Sequence, residues 1–245
     1  MTGNDTIIKA FTELAPRYEE TMDRELGEFL GLGYQEFVDR LVEASSIEKG
    51  DVVLDVATGT ALIPLTLVDR VGARGRVIGL DITPAMLKHG RKRIGATRSS
   101  SCISLVCASG MAMPFVKGVF DMVICGFGTH HMDVPQMLSE MKRVLKTGGD
   151  LVVAAAGVPA FWRSFLWIVL LKFLLIGYGL TKKGARVQAE VEAIPNFRTV
   201  DEWHTILSDS GFAKIEISKS QSRRPWYPYA LTMRAVSGGD SRAGR

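Results

Sequence analysis

Residues 52–61 read Val52-Val53-Leu54-Asp55-Val56-Ala57-Thr58-Gly59-Thr60-Ala61. A β-branched apolar run ends at an acid and passes straight into a turn of small residues. Leu62–Val71 follows with the pattern of a helix. Strand, tight turn and helix together describe the first βα unit of a nucleotide-binding α/β domain. Backbone amides at such a turn meet a ligand only where side chains are small, and Gly59 accepts backbone angles that other residues resist.

Downstream of this unit, strands and helices alternate. Strands are expected at Arg76–Ile82, Ile103–Cys107, Phe120–Cys125 and Leu151–Ala156, with helices over Pro84–Ile94 and Val134–Leu145. Pro84 suits a first helical turn, and Thr83 is placed to cap it. Val134, Met137, Leu138, Met141, Val144 and Leu145 form one apolar helix face. Lys146-Thr147-Gly148-Gly149 reads as a glycine stop for that helix. Repeated βα units predict a doubly wound sheet.

After a helix over Val200–Ser210, the strands Ala213–Lys219 and Tyr229–Val236 follow one another with no helix between them, so they pair antiparallel. The fold expected is α/β: a Rossmann-like, doubly wound, seven-stranded sheet, mostly parallel, with an antiparallel C-terminal edge pair. Upstream, Thr6–Glu43 is helical in pattern, with Ile7, Ile8, Phe11 and Leu14 at helical spacing and Pro16 opening a new segment. The organisation expected is a helical cap over 1–50 and a core over 51–157. An apolar helical lid insert over 158–199 follows, then a completing helix and strands over 200–236 and a flexible tail over 237–245.

A chain of 245 residues with 47% hydrophobic content can bury a sizeable single core. Its net charge of +4 is too small and too scattered for a nucleic-acid binder. The densest basic run, Lys88–Arg93, lies on a predicted helix and reads as a solvated face. Cys102, Cys107 and Cys125 lie in or beside apolar strand-like runs. No CxxC pair or Cys/His metal spacing occurs, so no metal is expected and the thiols read as buried and free. The N-terminal residues lack the basic start and apolar core of a signal peptide, which points to the cytoplasm.

The motifs also resemble a known family. The stretch around Asp55 resembles the first motif of class I S-adenosylmethionine-dependent methyltransferases, an acid followed by three alternating small residues. Here these are Asp55, Ala57, Gly59 and Ala61, with two of the usual glycines replaced by alanine. Asp81 ends the second strand, and an acid there accepts hydrogen bonds from ribose hydroxyls. Asp81-Ile82-Thr83-Pro84-Ala85-Met86-Leu87 resembles the second motif, whose apolar residue after the acid lies against adenine. Ser109-Gly110-Met111-Ala112-Met113-Pro114-Phe115 resembles the third. That motif commonly begins with Asp, which accepts from the adenine amino group; Ser109 leaves that contact to backbone groups. Phe120–Cys125 and Glu140–Gly149 resemble the family's fourth strand and the helix-turn after it. Ala15-Pro16-Arg17-Tyr18-Glu19 places a tyrosine that in such enzymes closes over the cofactor.

The resemblance spans about residues 10–236 and is nearest to the ubiquinone/menaquinone-biosynthesis type and related natural-product methyltransferases. It implies an S-adenosylmethionine site made by Tyr18, Asp55, Ala57, Thr58, Gly59, Asp81, Ile82, Met86, Ser109, Gly110, Met111 and Cys125, with Asp55 near the cofactor's amino-acid end.

Methyl transfer from a sulfonium is an in-line displacement, and an oxygen nucleophile often needs a proton removed as well. His130 and His131 follow the fourth strand at the carboxyl edge of the sheet. One of them can act as the base, since histidine titrates near neutrality. A loop-structuring role is the competing reading for both. His89 and His204 read as surface residues.

Residues 161–180 read FWRSFLWIVLLKFLLIGYGL. Arg163, Ser164 and Lys172 interrupt the run, and no continuous polar stripe exists, so such a helix must be covered nearly all round. It reads as a lid over a substrate cavity. A membrane contact or homodimer surface is the other reading, with Lys172, Lys182, Lys183 and Arg186 meeting anionic headgroups. Phe127, His130, Phe161, Trp162 and Phe165 are the residues expected at the substrate. The acceptor expected is an apolar small molecule such as a quinone precursor, polyketide or terpenoid, with transfer to oxygen slightly ahead of transfer to carbon. Two rivals stay open. A dinucleotide oxidoreductase needs a GxGxxG turn, where this chain has AxGxA. A cyclase or accessory subunit would keep the cofactor without transferring its methyl.

Overall fold

The computed structural model describes residues 3–97, 100–164, 196–220 and 222–238, together with Arg186, Ala189 and Ala193. Seven strands form one sheet in the order β3-β2-β1-β4-β5-β7-β6. They are β1 (Val52–Val56), β2 (Arg76–Asp81), β3 (Ile103–Cys107), β4 (Phe120–Gly126), β5 (Leu145–Gly157), β6 (Phe212–Lys219) and β7 (Tyr229–Ser237). The first five run parallel, and β7 lies antiparallel between β5 and β6. The sheet is the one the sequence predicts.

The helices are α1 (Gly3–Leu14), α2 (Tyr18–Phe29), α3 (Tyr34–Glu43), α4 (Leu62–Val71), α5 (Pro84–Gly95), α6 (Val134–Val144) and α7 (Val200–Asp209). One sheet face is covered by α3 and α4. Phe37, Val38, Leu41 and Val42 of α3 pack there with Leu67, Val68 and Val71 of α4. The other face is covered by α6 and α7, where Met137, Leu138, Met141, Trp203 and Leu207 are buried. Each such side chain contributes about 1.5–3 kcal/mol relative to exposure. Among the described residues no helix is long and apolar enough to cross a membrane. Most of the 161–180 run lies outside the described residues.

Three local expectations are corrected. The Lys146-Thr147-Gly148-Gly149 stretch does not stop α6. The helix ends at Val144, Leu145 is already extended and pairs with Phe120, and the register shifts between Phe120 and Met122. The left-handed Gly148 (φ 78°) therefore serves an irregularity inside β5. Thr83 sits at the N-cap of α5 without a side-chain cap; its amide instead donates to Asp81 Oδ1 at 2.8 Å. Cys107 is exposed and Cys102 half-buried, so only Cys125 is a buried thiol.

The sheet order fixes the position of the site. From β1 the chain moves outward through β2 to β3, then returns to place β4 on the other side of β1. Ligands of open α/β sheets bind in the crevice at such a reversal, beyond the carboxyl ends of the strands. The pairing levels those ends: Val56 lies opposite Leu80 on one side and Cys125 on the other.

Candidate active site

A first pocket opens at this crevice. Its floor is the β1 turn, with Val56, Ala57 and Gly59. One wall is the β2 end with Asp81, Ile82, Thr83 and Met86; another is Ser109, Gly110 and Met111. Gly126, Phe127 and Gly128 after β4 close a third side, and Asn4, Ile7 and Phe11 of α1 lie over it.

The turn is built from left-handed backbone. Ala57, Gly59 and Ala61 have φ of 59°, 55° and 64°. The two alanines hold a conformation that costs an L-residue roughly 1–2 kcal/mol each. Phe127, in the facing turn, adds a fourth such position at 57°. Residues held this way cluster at sites where the surrounding structure overrides local preference. Phe127 is held by stacking on Phe37, with ring centroids 4.4 Å apart. Gly128 is required because a Cβ there would overlap the Cβ of Ala57. At Gly59 a Cβ would come within 3.2 Å of Met86 Cε and 3.7 Å of the Tyr18 ring.

Asp81 ties the turn to β2. Its Oδ2 accepts from the Gly59 amide at 2.9 Å and its Oδ1 from the Thr83 amide at 2.8 Å. Burial pushes its pKa up, and these two amides oppose that shift. Each oxygen keeps acceptor capacity for a further donor.

Asp55 is different. It is fully buried, and neither of its oxygens has a hydrogen-bond partner. Burial first, then the nearby Asp81 charge, push its pKa up to about 8, while the Thr58 hydroxyl, close by but out of hydrogen-bond geometry, draws it down. Asp55 does not itself line the pocket, though Val56 and Ala57, next in the chain, do. An unpartnered buried carboxyl beneath a small-residue turn suits a ligand that brings a cation to this end of the pocket.

Tyr18 starts α2 and faces the pocket. Its ring lies edge-on to Tyr34 at 6.0 Å, and burial raises its pKa. Glu19 fixes the helix start: its Oε1 accepts from Thr60 Oγ1 at 2.8 Å and is paired with Arg93. Arg93 is thereby the one member of the basic Lys88–Arg93 run drawn into the structure around the site.

A second, larger cavity of about 310 Å³ lies beside the first. Leu14, Met22, Leu26 and Phe29 line it from the N-terminal helices, and Ala156, Phe197, Tyr229 and Ala230 from the sheet side. Among the described residues, four border both spaces: Phe11, Tyr18, Phe127 and His131. His130 borders the apolar cavity alone. The two imidazoles are 4.1 Å apart, and Phe11 meets His131 edge-on at 5.2 Å. Burial, with the Arg186 charge second, holds His131 down at about 4; burial and His131 hold His130 well below its usual value. Both are neutral at neutral pH. Arg186 reaches the same cavity and donates to Glu25 at 2.5 Å.

Several expected site residues lie elsewhere. Thr58 does not line the pocket: its amide donates to Leu80 O at 3.0 Å and its side chain packs over Gly79. Cys125 does not line the pocket: it is buried in the sheet core on the same face as its register partner Val56, burial pushes its thiol up to about 12, and the lining after β4 begins one residue later at Gly126. Phe161 and Trp162 line neither space; Phe161 is exposed on a short turn after β5. Phe165 lies outside the described residues. Missed by sequence reading were Asn4, Ile7 and Phe11, whose spacing puts them on one helix face. Gly126 and Gly128, which flank Phe127, were also missed.

The ubiE/COQ5 methyltransferase family matches residues 3–222. A demethylmenaquinone methyltransferase of Staphylococcus carnosus is 34% identical over 186 residues, 73% of this chain and 74% of that protein. A ubiquinone/menaquinone biosynthesis C-methyltransferase of Geotalea uraniireducens is 26% identical over 215 residues, 86% of this chain and 90% of that one. Among solved structures, a geranyl diphosphate C-methyltransferase from Streptomyces coelicolor, bound to S-adenosylhomocysteine, shares the fold with a TM-score of 0.68 at 16% identity. It covers 90% of this chain, and this chain covers 84% of it.

Proposed function

The chain belongs to the ubiE/COQ5 methyltransferase family and is an S-adenosylmethionine-dependent methyltransferase, and from that premise we propose that it methylates a ring carbon of an apolar quinol of the demethylmenaquinone type. The observation that carries this reading is the shared wall of Phe11, Tyr18, Phe127 and His131, where the pocket that holds Asp81 meets the larger apolar cavity. The cofactor, when bound, supplies an electrophilic methyl group and a neutral leaving group.

The chain's own residues do the rest. Asp81, with acceptor capacity left on both oxygens, receives the ribose hydroxyls. Ile82 and Met111 give the adenine apolar surfaces, and Asp55 balances the ammonium end. Tyr18 and Phe127 align the acceptor at the junction. Alignment of this kind supplies up to roughly 7–11 kcal/mol in favourable cases.

The histidines favour carbon over the oxygen acceptor expected from the sequence. A phenolic hydroxyl titrates near ~10, and a neutral imidazole held down at about 4 is a poor base for it. Transfer to carbon asks less of the base. The new carbon–methyl bond forms as the carbon–sulfur bond breaks, and the proton then leaves a ring carbon made strongly acidic by that step. His131 is weak enough to need such an acid and close enough to the junction to take its proton. Arg186 offers a charged donor to a quinol oxygen in the cavity. The names of the relatives point the same way.

The test is transfer of labelled methyl from S-adenosylmethionine to a short-chain demethylmenaquinol. Label is expected on the ring carbon with the quinol and not with the oxidised quinone, whose ring is electron-poor. Label on oxygen, or no transfer to either form, overturns the reading.

A further inference from the structure

The rim of the apolar cavity carries features that neither the methyl transfer nor the cofactor site uses. Trp226 is 49% exposed and Phe29 is 40% exposed. Arg223, Arg224 and Pro225 between them in space are exposed as well. These residues form one patch. The Phe29 and Tyr227 rings meet edge-on at 5.4 Å, and the Arg223 amide donates to Phe29 O at 3.0 Å. The Arg224 guanidinium lies 5.8 Å from the Trp226 ring centroid and 5.4 Å from that of Tyr227. The patch is continuous with the cavity: Phe29 and Leu30 line it from one side, and Pro228 and Tyr229, next in the chain after the loop, line it from the other. A cleft that shares Arg186 with the cavity adds Arg17 and Arg24, with Glu20 among them. Glu25 is taken up by Arg186, and Glu28, exposed beside Phe29, leaves the arginines in excess.

We propose that this rim, Phe29 with Arg223, Arg224, Trp226 and Tyr227, docks the enzyme on an anionic lipid bilayer, so that the apolar cavity opens directly towards the hydrocarbon that holds its acceptor. The proposal rests on the reading of the acceptor as an apolar quinol. Three observations fit a bilayer better than a protein partner. Tryptophan and tyrosine prefer the headgroup level, where one edge is apolar and the other wet. The arginines stand beside the rings, where anionic headgroups attract them. The patch adjoins the cavity lining at Phe29 and Pro228, so docking would bring the cavity close to the bilayer. It also differs from the 161–180 run that the sequence suggested for membrane contact.

Flotation of the full chain with vesicles tests this. The wild type is expected to bind phosphatidylcholine vesicles containing phosphatidylglycerol and to bind pure phosphatidylcholine much less. Trp226→Ser and Arg224→Glu are each expected to weaken that binding by about tenfold. Both variants should turn over a detergent-dispersed short-chain quinol at the wild-type rate, since neither side chain lines the pocket or the cavity. Wild-type protein that stays off anionic vesicles overturns the proposal, as do variants that bind like wild type. A concentration-dependent dimer lost on Trp226→Ser, with no vesicle binding, assigns the patch to a second copy instead. Failure of the acceptor reading shows separately, as vesicle binding with no transfer to the dispersed quinol.

Discussion

Asp81→Ala is expected to weaken S-adenosylhomocysteine binding by at least about 100-fold, read by titration calorimetry. The carboxylate does two jobs at once. It satisfies the Gly59 and Thr83 amides, 2.9 and 2.8 Å away, and so fixes the β1 turn against the end of β2. Removing it strands two donors in a mostly buried site, at about 1–3 kcal/mol each. It also removes the charged acceptor for the ribose, and hydrogen bonds to charged groups contribute about 1.5–3 kcal/mol. Asp81→Asn is intermediate on both counts. Its one acceptor oxygen can satisfy only one of the two amides while its NH2 faces the other, so it should melt below wild type and above Asp81→Ala, with binding also between the two. Asp81→Ala that binds within about threefold of wild type would remove Asp81 from the site.

Asp55→Asn is expected to move stability and binding in opposite directions. In the free protein the buried carboxyl is raised from the ordinary range to about 8. The folded state therefore holds a proton that the unfolded chain has released, and stability declines as pH rises from about 4 to about 8. An uncharged amide has no such decline. Asp55→Asn should melt higher than wild type without ligand at pH 8, with the difference vanishing towards pH 4. Binding should fall by about 10- to 100-fold, because a charge-assisted partner for the ammonium end is lost. For the same reason wild-type binding at pH 7 should release protons, seen as a buffer-dependent enthalpy. Asp55→Asn should lose that dependence. A pH-independent melting difference, or unchanged proton release, contradicts this role for Asp55.

The two buried histidines act in the reverse sense. Their pKa values lie below the ordinary one, so the unfolded chain takes up protons first as pH falls below about 6.5, and their burial favours the fold only above that range.

The sheet was legible in the sequence because its signals are local. β1, with its turn and α4, combines β-branched alternation, small residues and a helical repeat within twenty consecutive positions. Asp81 was legible for the same reason, as an acid at a strand end. The differences lie where a single residue decides which part of a turn meets the pocket. Cys125, expected to line the site through its backbone, is level with Val56 and buried in the same core, and it is the turn that follows, Gly126-Phe127-Gly128, that makes the wall. Thr58 sits in the motif yet packs beneath it on Gly79. The glycines of Lys146–Gly149 looked like a helix stop because a left-handed glycine serves a cap and a strand irregularity equally well.

The apolar cavity was legible only at Phe127 and His130, two of the residues expected at the substrate. Leu26, Phe127, Ala156, Phe197 and Tyr229 come together from five separate stretches of chain, with no pattern linking them in sequence. The strongest aromatic signal in the sequence is the 161–180 run, whose described members Phe161 and Trp162 line neither space. The face of α1 had a readable signal, since Asn4, Ile7 and Phe11 fall three and four apart. The sequence could show that Ile7 and Phe11 share this face with Asn4, but not that the face closes over a pocket; the buried positions of α1 are Thr6, Ala10 and Leu14.

The central claim is that methyl transfer takes place where the pocket that holds Asp81 and the larger apolar cavity meet. A crystal structure of the complex with S-adenosylhomocysteine tests it most directly. The account predicts the ribose on Asp81, the adenine against Ile82 and Met111, and the sulfur between Tyr18 and His131, facing the apolar cavity. A sulfur turned to solvent, or shut off from that cavity by Phe11 and Phe127, would contradict it.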